Sequence, residues 1–333
     1  MAIQEIDKTF EIRNNSDLIR VSIYLNKILI NCPTNLKDLI EIASSELTTN
    51  ILKHAEKGEL KIYIDEKKIM LKSYNMGRLS VFDLMDGKTN KNSLGIGLGV
   101  AGRSADEFYY KFNPVEITWI KYFKANVINR FDIATKVESL VFSGCGDRII
   151  KIEMPSYIFI ALLDVSGHGK YAGEQAVKIS KFIDNHYYLK LNDIVECLIE
   201  YTKNMDRRFV IEFLKLWKIK NKLEFCGIGD VSCKIFYKNK QFSAHPLFNY
   251  NNEKLITKNG VLGGVKQDWM KDFNIIEKDI PKGAFILMFS DGISSSITLE
   301  NTHFNKSPHE IIDQLFNKYK KEDDSSLVII KCK

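Results

Sequence analysis

Tyr157-Ile158-Phe159-Ile160-Ala161-Leu162-Leu163-Asp164-Val165-Ser166-Gly167-His168-Gly169 is the stretch on which the fold of this chain turns. The apolar run at residues 157–163 is far too short to cross a membrane and predicts a buried strand. An aspartate ends the run. Small turn-forming residues then lead towards a helix over residues 173–187. Upstream, residues 137–141 predict a strand, and Ser143-Gly144-Cys145-Gly146 forms a turn that ends on Asp147. Downstream, Ser290-Asp291-Gly292 follows another apolar run, 285–289, and Asp323-Asp324-Ser325-Ser326 precedes a last strand, 327–331. Asp147, Asp164, Asp291 and Asp323 thus each stand at or beside a strand end. Taken singly, each reads as a turn aspartate. Brought together, four carboxylates would repel unless cations neutralised them, and an all-oxygen donor set selects hard ions.

Working outward, strands are also expected at 149–152, 210–214, 222–226, 233–237 and 273–277, with helices at 173–187, 192–204 and 308–319. The order suggests a two-sheet sandwich flanked by helices. The first part of the chain is different. Short alternating segments at 10–12 and 18–21 precede a helix over 36–54. A β-hairpin, 60–64 and 69–73, turns at Asp65-Glu66-Lys67-Lys68. A polar, glycine-rich region from 85 to 102 leads into a short helix ending near Phe108, and 115–123 closes as a strand. That pattern predicts helices packed on one antiparallel sheet.

The 333 residues amount to about twice one domain. A composition 45% hydrophobic, 11% aromatic and 27% charged excludes a disordered or collagen-like chain. The net charge of +6, from 48 basic and 42 acidic residues, is spread out, so nucleic acid is not an expected partner. Cys32, Cys145, Cys197, Cys226, Cys233 and Cys332 show no C-x-x-C spacing. Free thiols in a reducing cytoplasm are expected, without zinc or disulfides. Residues 1–7 lack an apolar core, so neither a signal peptide nor a membrane partner is expected.

In the first part, Glu46 and Asn50 stand at i and i+4 of the 36–54 helix, on one face. A carboxylate beside an amide can orient a water and hold Mg²⁺. Ser93-Leu94-Gly95-Ile96-Gly97-Leu98-Gly99 follows about 45 residues later, with glycine at alternate positions that let backbone amides approach phosphate oxygens. With Glu46-Leu47, Asn50, His54-Ala55, Asp86-Gly87, Thr89, Leu94-Gly95, Gly97-Leu98, Ala101, Arg103 and Asp106-Glu107-Phe108, this region resembles the GHKL nucleotide-binding fold. The nearer likeness is to its switch-kinase and anti-sigma branch. The resemblance implies an ATP and Mg²⁺ site. Asn50 would hold the ion, Glu46 would assist an attacking hydroxyl, and Gly95, Gly97 and Gly99 would wrap the phosphates. The family's box D-x-G-x-G, whose aspartate reads the adenine amino group, is altered here to Asn75-Met76-Gly77-Arg78. The amide of Asn75 can still accept one hydrogen bond.

The remainder resembles the PPM-type protein phosphatases in their bacterial SpoIIE-like branch. The likeness rests on Gly146-Asp147, Asp164-Val165-Ser166-Gly167-His168-Gly169, Cys226-Gly227-Ile228-Gly229-Asp230, Leu262-Gly263-Gly264, Ser290-Asp291-Gly292-Ile293 and Asp323-Asp324-Ser325-Ser326-Leu327. It implies hydrolysis of phosphoserine or phosphothreonine with two Mn²⁺ or Mg²⁺ ions. Asp164 would bridge the ions, with the Val165 carbonyl, Asp147, Asp291 and Asp323 completing their surroundings. Asp324 would support the site without ligating, and His168 is more simply a helix-start or surface residue than an acid.

The expected fold is therefore α+β. A GHKL-type helix-on-sheet sandwich over residues 1–125 would precede a PPM-type α-β-β-α sandwich over 126–333. The implied protein is a bifunctional partner-switching regulator. Its partner would be a STAS-domain antagonist or stressosome-like phosphoprotein, and a homodimer is left open. Two alternatives stand beside it. One is a phosphatase whose first domain only senses nucleotide or docks a partner. The other is a non-catalytic protein that sequesters a pathway component.

Overall fold

The computed structural model describes residues 5–85, 97–123, 130–219, 222–229, 232–238, 240–244, 249–250, 253–254, 262 and 275–333. The chain forms two compact units, Met1–Asn126 and Val127–Lys333.

In the first unit, β1 (Ile6–Ile12), β2 (Gly58–Ile64), β3 (Lys68–Asn75), β4 (Glu107–Phe112) and β5 (Val115–Tyr122) make one antiparallel sheet in the order β1-β2-β3-β5-β4. Leu60, Ile62 and Ile64 alternate with Ile69 and Leu71 on the buried face, as period-two patterning demands. Helices α1 (Asn15–Ile28), α2 (Thr34–His54) and α3 (Gly97–Ser104) complete the layer. The α2 stripe Ile40, Ala43, Leu47 and Ile51 is wholly buried. Trp119, also fully buried, donates from Nε1 to the Ala101 carbonyl at 3.0 Å and so ties β5 to α3.

Two expectations fail here. Residues 18–21 belong to α1, not to a strand. Asn14 accepts the Ser16 N–H at 2.9 Å, and the Asp17 carboxylate accepts the Asn14 N–H at 3.1 Å. These bonds satisfy the orphan donors of a helix start. Phe108 lies in β4, not at a helix end, because Phe108 and Tyr110 alternate inward against β5.

The second unit stacks two antiparallel sheets. Along the chain come β6 (Phe131–Glu138), β7 (Arg148–Glu153), β8 (Tyr157–Val165), α4 (Lys170–His186), α5 (Leu191–Thr202), β9 (Phe209–Trp217), β10 (Lys222–Ile228), β11 (Ser232–Tyr237) and β12 (Lys240–Ala244). The two-residue strands β13 (Asn249–Tyr250) and β14 (Glu253–Lys254) pair with each other. β15 (Ile276–Asp279), β16 (Phe285–Phe289), α6 (Pro308–Tyr319) and β17 (Ser325–Cys332) follow. One sheet runs β15-β10-β9-β8-β7 and the other β12-β11-β16-β17-β6. Between them lies a core that includes Ile160, Leu162, Leu214, Phe225, Ile286, Met288, Val328 and Ile330. Helices α4 and α5 cover the first sheet and α6 covers the second, through Ile311, Leu315 and Phe316. The architecture is the expected α-β-β-α sandwich. The strand expected at 137–141 lies earlier, at Phe131–Glu138, where Phe131 and Ile133 face the core and Val137 is exposed. The strand expected at 273–277 is Ile276–Asp279, and residues 273–274 lie outside the described residues.

Glu212 on β9 breaks the apolar core. It is fully buried, pairs in register with Leu162 and Gly227, and neither carboxyl oxygen has a hydrogen-bond partner. Burial raises its pKa well above the ordinary value. The unfolded chain therefore loses this proton at a lower pH than the folded one does. Stability should fall as pH rises above the ordinary carboxylate range, by up to about 1.4 kcal/mol per pH unit, until the folded pKa is passed. Glu212→Leu should flatten that decline and melt higher than the parent at pH 8. Melting curves from pH 5 to 8 test this, and parallel curves for both proteins would refute it.

Candidate active site

One end of the sandwich gathers the aspartates. Asp164 is the penultimate residue of β8 and pairs with Val210. Arg148 pairs with Leu163, so Asp147, one residue before β7, comes level with Asp164 across the strand pair. The Val165 N–H reaches the Gly146 carbonyl at 3.3 Å, which draws the two turns together. From the opposite sheet, Asp291 follows β16 and Asp323 precedes β17. Ser290 and Ser326 bond across these strand ends, the Ser326 N–H meeting Ser290 Oγ at 3.0 Å. The Ser325 hydroxyl donates to the Gly292 carbonyl at 3.0 Å and holds the Asp291 turn against the Asp323 turn. Gly167 and Gly169, at φ +84° and +82°, make the sharp exit from Val165 into α4 that side-chain-bearing residues rarely adopt.

Asp147 is fully buried, and neither carboxyl oxygen has a hydrogen-bond partner. Burial pushes its pKa up to about 7. The Ser290 and Ser326 hydroxyls, close by but outside hydrogen-bond geometry, oppose the rise, and the Asp324 and Asp291 carboxylates add to it. A buried, unsatisfied carboxylate is costly unless a cation meets it. The donor set at this end is all oxygen, which suits Mn²⁺ or Mg²⁺. Among the described residues, no three Asp, Glu, His or Cys side chains close into a ready coordination shell.

Asp324 has a different task. It is 4% exposed. Its Oδ1 accepts the Leu140 N–H at 2.7 Å and its Oδ2 accepts the Gly146 N–H at 2.6 Å. Ser139 Oγ adds a longer bond to Oδ1 at 3.2 Å. One carboxylate from the second sheet thus fixes the loop that presents Asp147. Asp324→Ala would leave two loop amides without their acceptor. An activity loss of about 10- to 100-fold is expected, the usual size for a residue that orients a ligand. Steady-state rates across a Mn²⁺ titration would check it, and an unaltered rate would refute it.

His168 is exposed, and Asp230, Gly263 and Gly264 lie outside the described residues. Two residues without a sequence motif adjoin this end, Glu212 beneath it and Arg207 beside the turn after Val165. The register of β8 on β9 reveals the first, and the contact of Arg207 with the Ser166 carbonyl reveals the second.

In the first unit, Glu46 and the start of α3 do meet. Gly97 has no room for a Cβ, which would run into the Glu46 carboxylate. Asn50 is 6% exposed, and its Oδ1 has no partner. That is the oxygen a cation would use. Gly77 packs against the His54 carbonyl at the end of α2. Asn75 Oδ1 accepts the Gly77 N–H at 2.9 Å, which leaves the buried Nδ2 without a partner. The side chain therefore has its acceptor engaged and a donor to offer. Gly99 is buried within α3. Gly95, with Asp86, Thr89 and Leu94, lies outside the described residues.

No family model matches this chain. No curated protein matches it either. Solved structures do. One, from work on the bacterial stressosome as a modular system adapted to control secondary messenger signalling, aligns over 60% of this chain and 98% of its own length. It shows 18% identity and a TM-score of 0.51. The PP2C phosphatase domain of SpoIIE from Bacillus subtilis, with a fragment of its regulatory domain, aligns over 95% of this chain and 94% of its own, at 12% identity and a TM-score of 0.50. The second unit has the PPM-type phosphatase fold. In this PPM-type unit the aspartates occupy one end of the two-sheet core, where strands of both sheets terminate together. No helix among the described residues is long and apolar enough to cross a membrane.

Proposed function

We propose that the chain is a metal-dependent phosphoserine/phosphothreonine protein phosphatase with a nucleotide-binding first unit, acting in a partner-switching stress pathway. The observation that carries the reading is Asp147, buried with both carboxyl oxygens unpartnered, at the strand ends that also bear Asp164, Asp291 and Asp323. These four side chains and the Val165 carbonyl would hold two Mn²⁺ or Mg²⁺ ions. Such ions polarise a phosphoryl oxygen and make water nucleophilic at neutral pH. The chain's own part is to hold the donors in place. Strand β8 is buried along residues 157–163 and anchors Asp164. Asp324 fixes the Asp147 turn, and Ser325 clasps Gly292 to fix the Asp291 turn.

The contact of Glu46 with Gly97 and the free Asn50 Oδ1 support a nucleotide site in the first unit, with ATP and Mg²⁺ as the expected ligands. Phosphoryl transfer from that site to a STAS-type antagonist is the finer reading, in which the two units run opposing reactions on one target. The test is threefold. Purified protein should release phosphate from a phosphoserine substrate only with Mn²⁺ or Mg²⁺. It should bind ATP unless Asn50 is replaced by alanine. Labelled phosphate should pass from ATP to a cognate STAS protein. No hydrolysis with either ion would sink the phosphatase reading, and ATP binding without transfer would leave the first unit a sensor or docking module.

A further inference from the structure

Arg207 precedes β9 and is half-buried. Its main chain is clamped by Gln175 of α4, itself 9% exposed. Gln175 Nε2 donates to the Arg207 carbonyl at 2.6 Å, and the Arg207 N–H donates to Gln175 Oε1 at 3.2 Å. The next residue completes the anchorage, since the Ser166 N–H meets the Arg208 carbonyl at 2.9 Å. With its backbone fixed, the Arg207 side chain folds back over the turn after Val165. Nη1 donates to the Ser166 carbonyl at 2.7 Å and lies against Gly167, where a Cβ would collide with it. The guanidinium therefore sits two residues from Asp164, on the loop that exits the candidate metal end.

Among the described residues Arg207 forms no ion pair, although carboxylates crowd the same end of the sandwich. One of its five side-chain N–H donors is used among the described residues. A planar cation with donors to spare matches a phosphoryl group, which it can grip with two parallel bonds. Aspartates neutralised by cations would not compete for it.

We propose that Arg207 binds the phosphoryl oxygens of the phosphoprotein substrate and sets the affinity of the site for phosphate. The inference rests on the phosphatase reading of this end. Kinetics of the full-length protein with a phosphoserine peptide and Mn²⁺ test it. Arg207→Ala should raise KM about 10- to 100-fold and weaken inhibition by inorganic phosphate to the same degree, the size of a lost charge-assisted contact. The change in kcat should be the smaller one. Arg207→Lys keeps the charge without the fork and should recover only part of the loss. A prop for the turn would behave otherwise. If Arg207→Ala lowers kcat, Mn²⁺ affinity or melting temperature while KM and phosphate inhibition stay at parental values, the proposal is overturned. Wild-type protein without any hydrolysis would remove the phosphatase reading, and the role of Arg207 with it. That outcome is distinct from an active enzyme indifferent to Arg207.

Discussion

Asp164→Ala should lose metal-dependent hydrolysis of a phosphoserine peptide by a factor on the order of 10³ while keeping its fold. The magnitude follows from the several kcal/mol of transition-state stabilisation that a metal centre supplies, each 1.4 kcal/mol being about tenfold in rate. Structural disruption should be slight. Residues 157–163 of β8 carry the packing, and Asp164 stands beyond them, half-exposed at the strand end. The measurement is phosphate release across a Mn²⁺ titration, beside a circular-dichroism melt. Activity within tenfold of the parent at saturating Mn²⁺ would show that Asp164 is a turn residue and nothing more.

Phe213→Ala should destabilise the second unit by about 3–5 kcal/mol. Phe213 sits in β9, fully buried, with its ring 6.0 Å from that of Phe159 on the neighbouring strand. Ile211, its neighbour on the same face of the strand, and Phe159 are also fully buried, so little can move in to fill the space. Calorimetry should show the loss at every pH, in contrast to Glu212→Leu, whose effect grows with pH. A shift below 1 kcal/mol would mean that the layer between β9 and the helices collapses around the hole.

The strands of the second unit were legible wherever apolar runs were long. Residues 157–163 and 285–289 stand where patterning puts them, since burial on both faces leaves no polar alternation to misread. The helix at 308–319 does too, because Ile311, Ile312, Leu315 and Phe316 form one buried stripe at helical spacing. The errors fall where the signal is local hydrogen bonding. Residues 18–21 look alternating in isolation, yet the Asn14 and Asp17 capping box commits them to α1. Strand β4 is hidden in the sequence because its aromatic alternation follows directly on a helix.

The aspartates could be picked out because each is tied to a strand end by small residues. Their separate roles could not. Asp323 and Asp324 are neighbours in sequence, but the first is exposed and the second is buried under the Gly146 and Leu140 amides. Only the pairing of β17 with β6 decides which of the two reaches the loop before Asp147.

By itself the sequence determined two dissimilar halves, a buried-strand sandwich in the second, and a set of acids at strand ends. These follow from hydrophobic periodicity and turn chemistry, which act over a few residues. The tertiary structure decided what those acids and their neighbours can do. It buried Asp147 without a partner, turned Asp324 into a clamp, and laid Arg207 over Ser166 and Gly167 from 41 residues away. Such contacts depend on the register between strands distant in sequence, and no local pattern encodes that register.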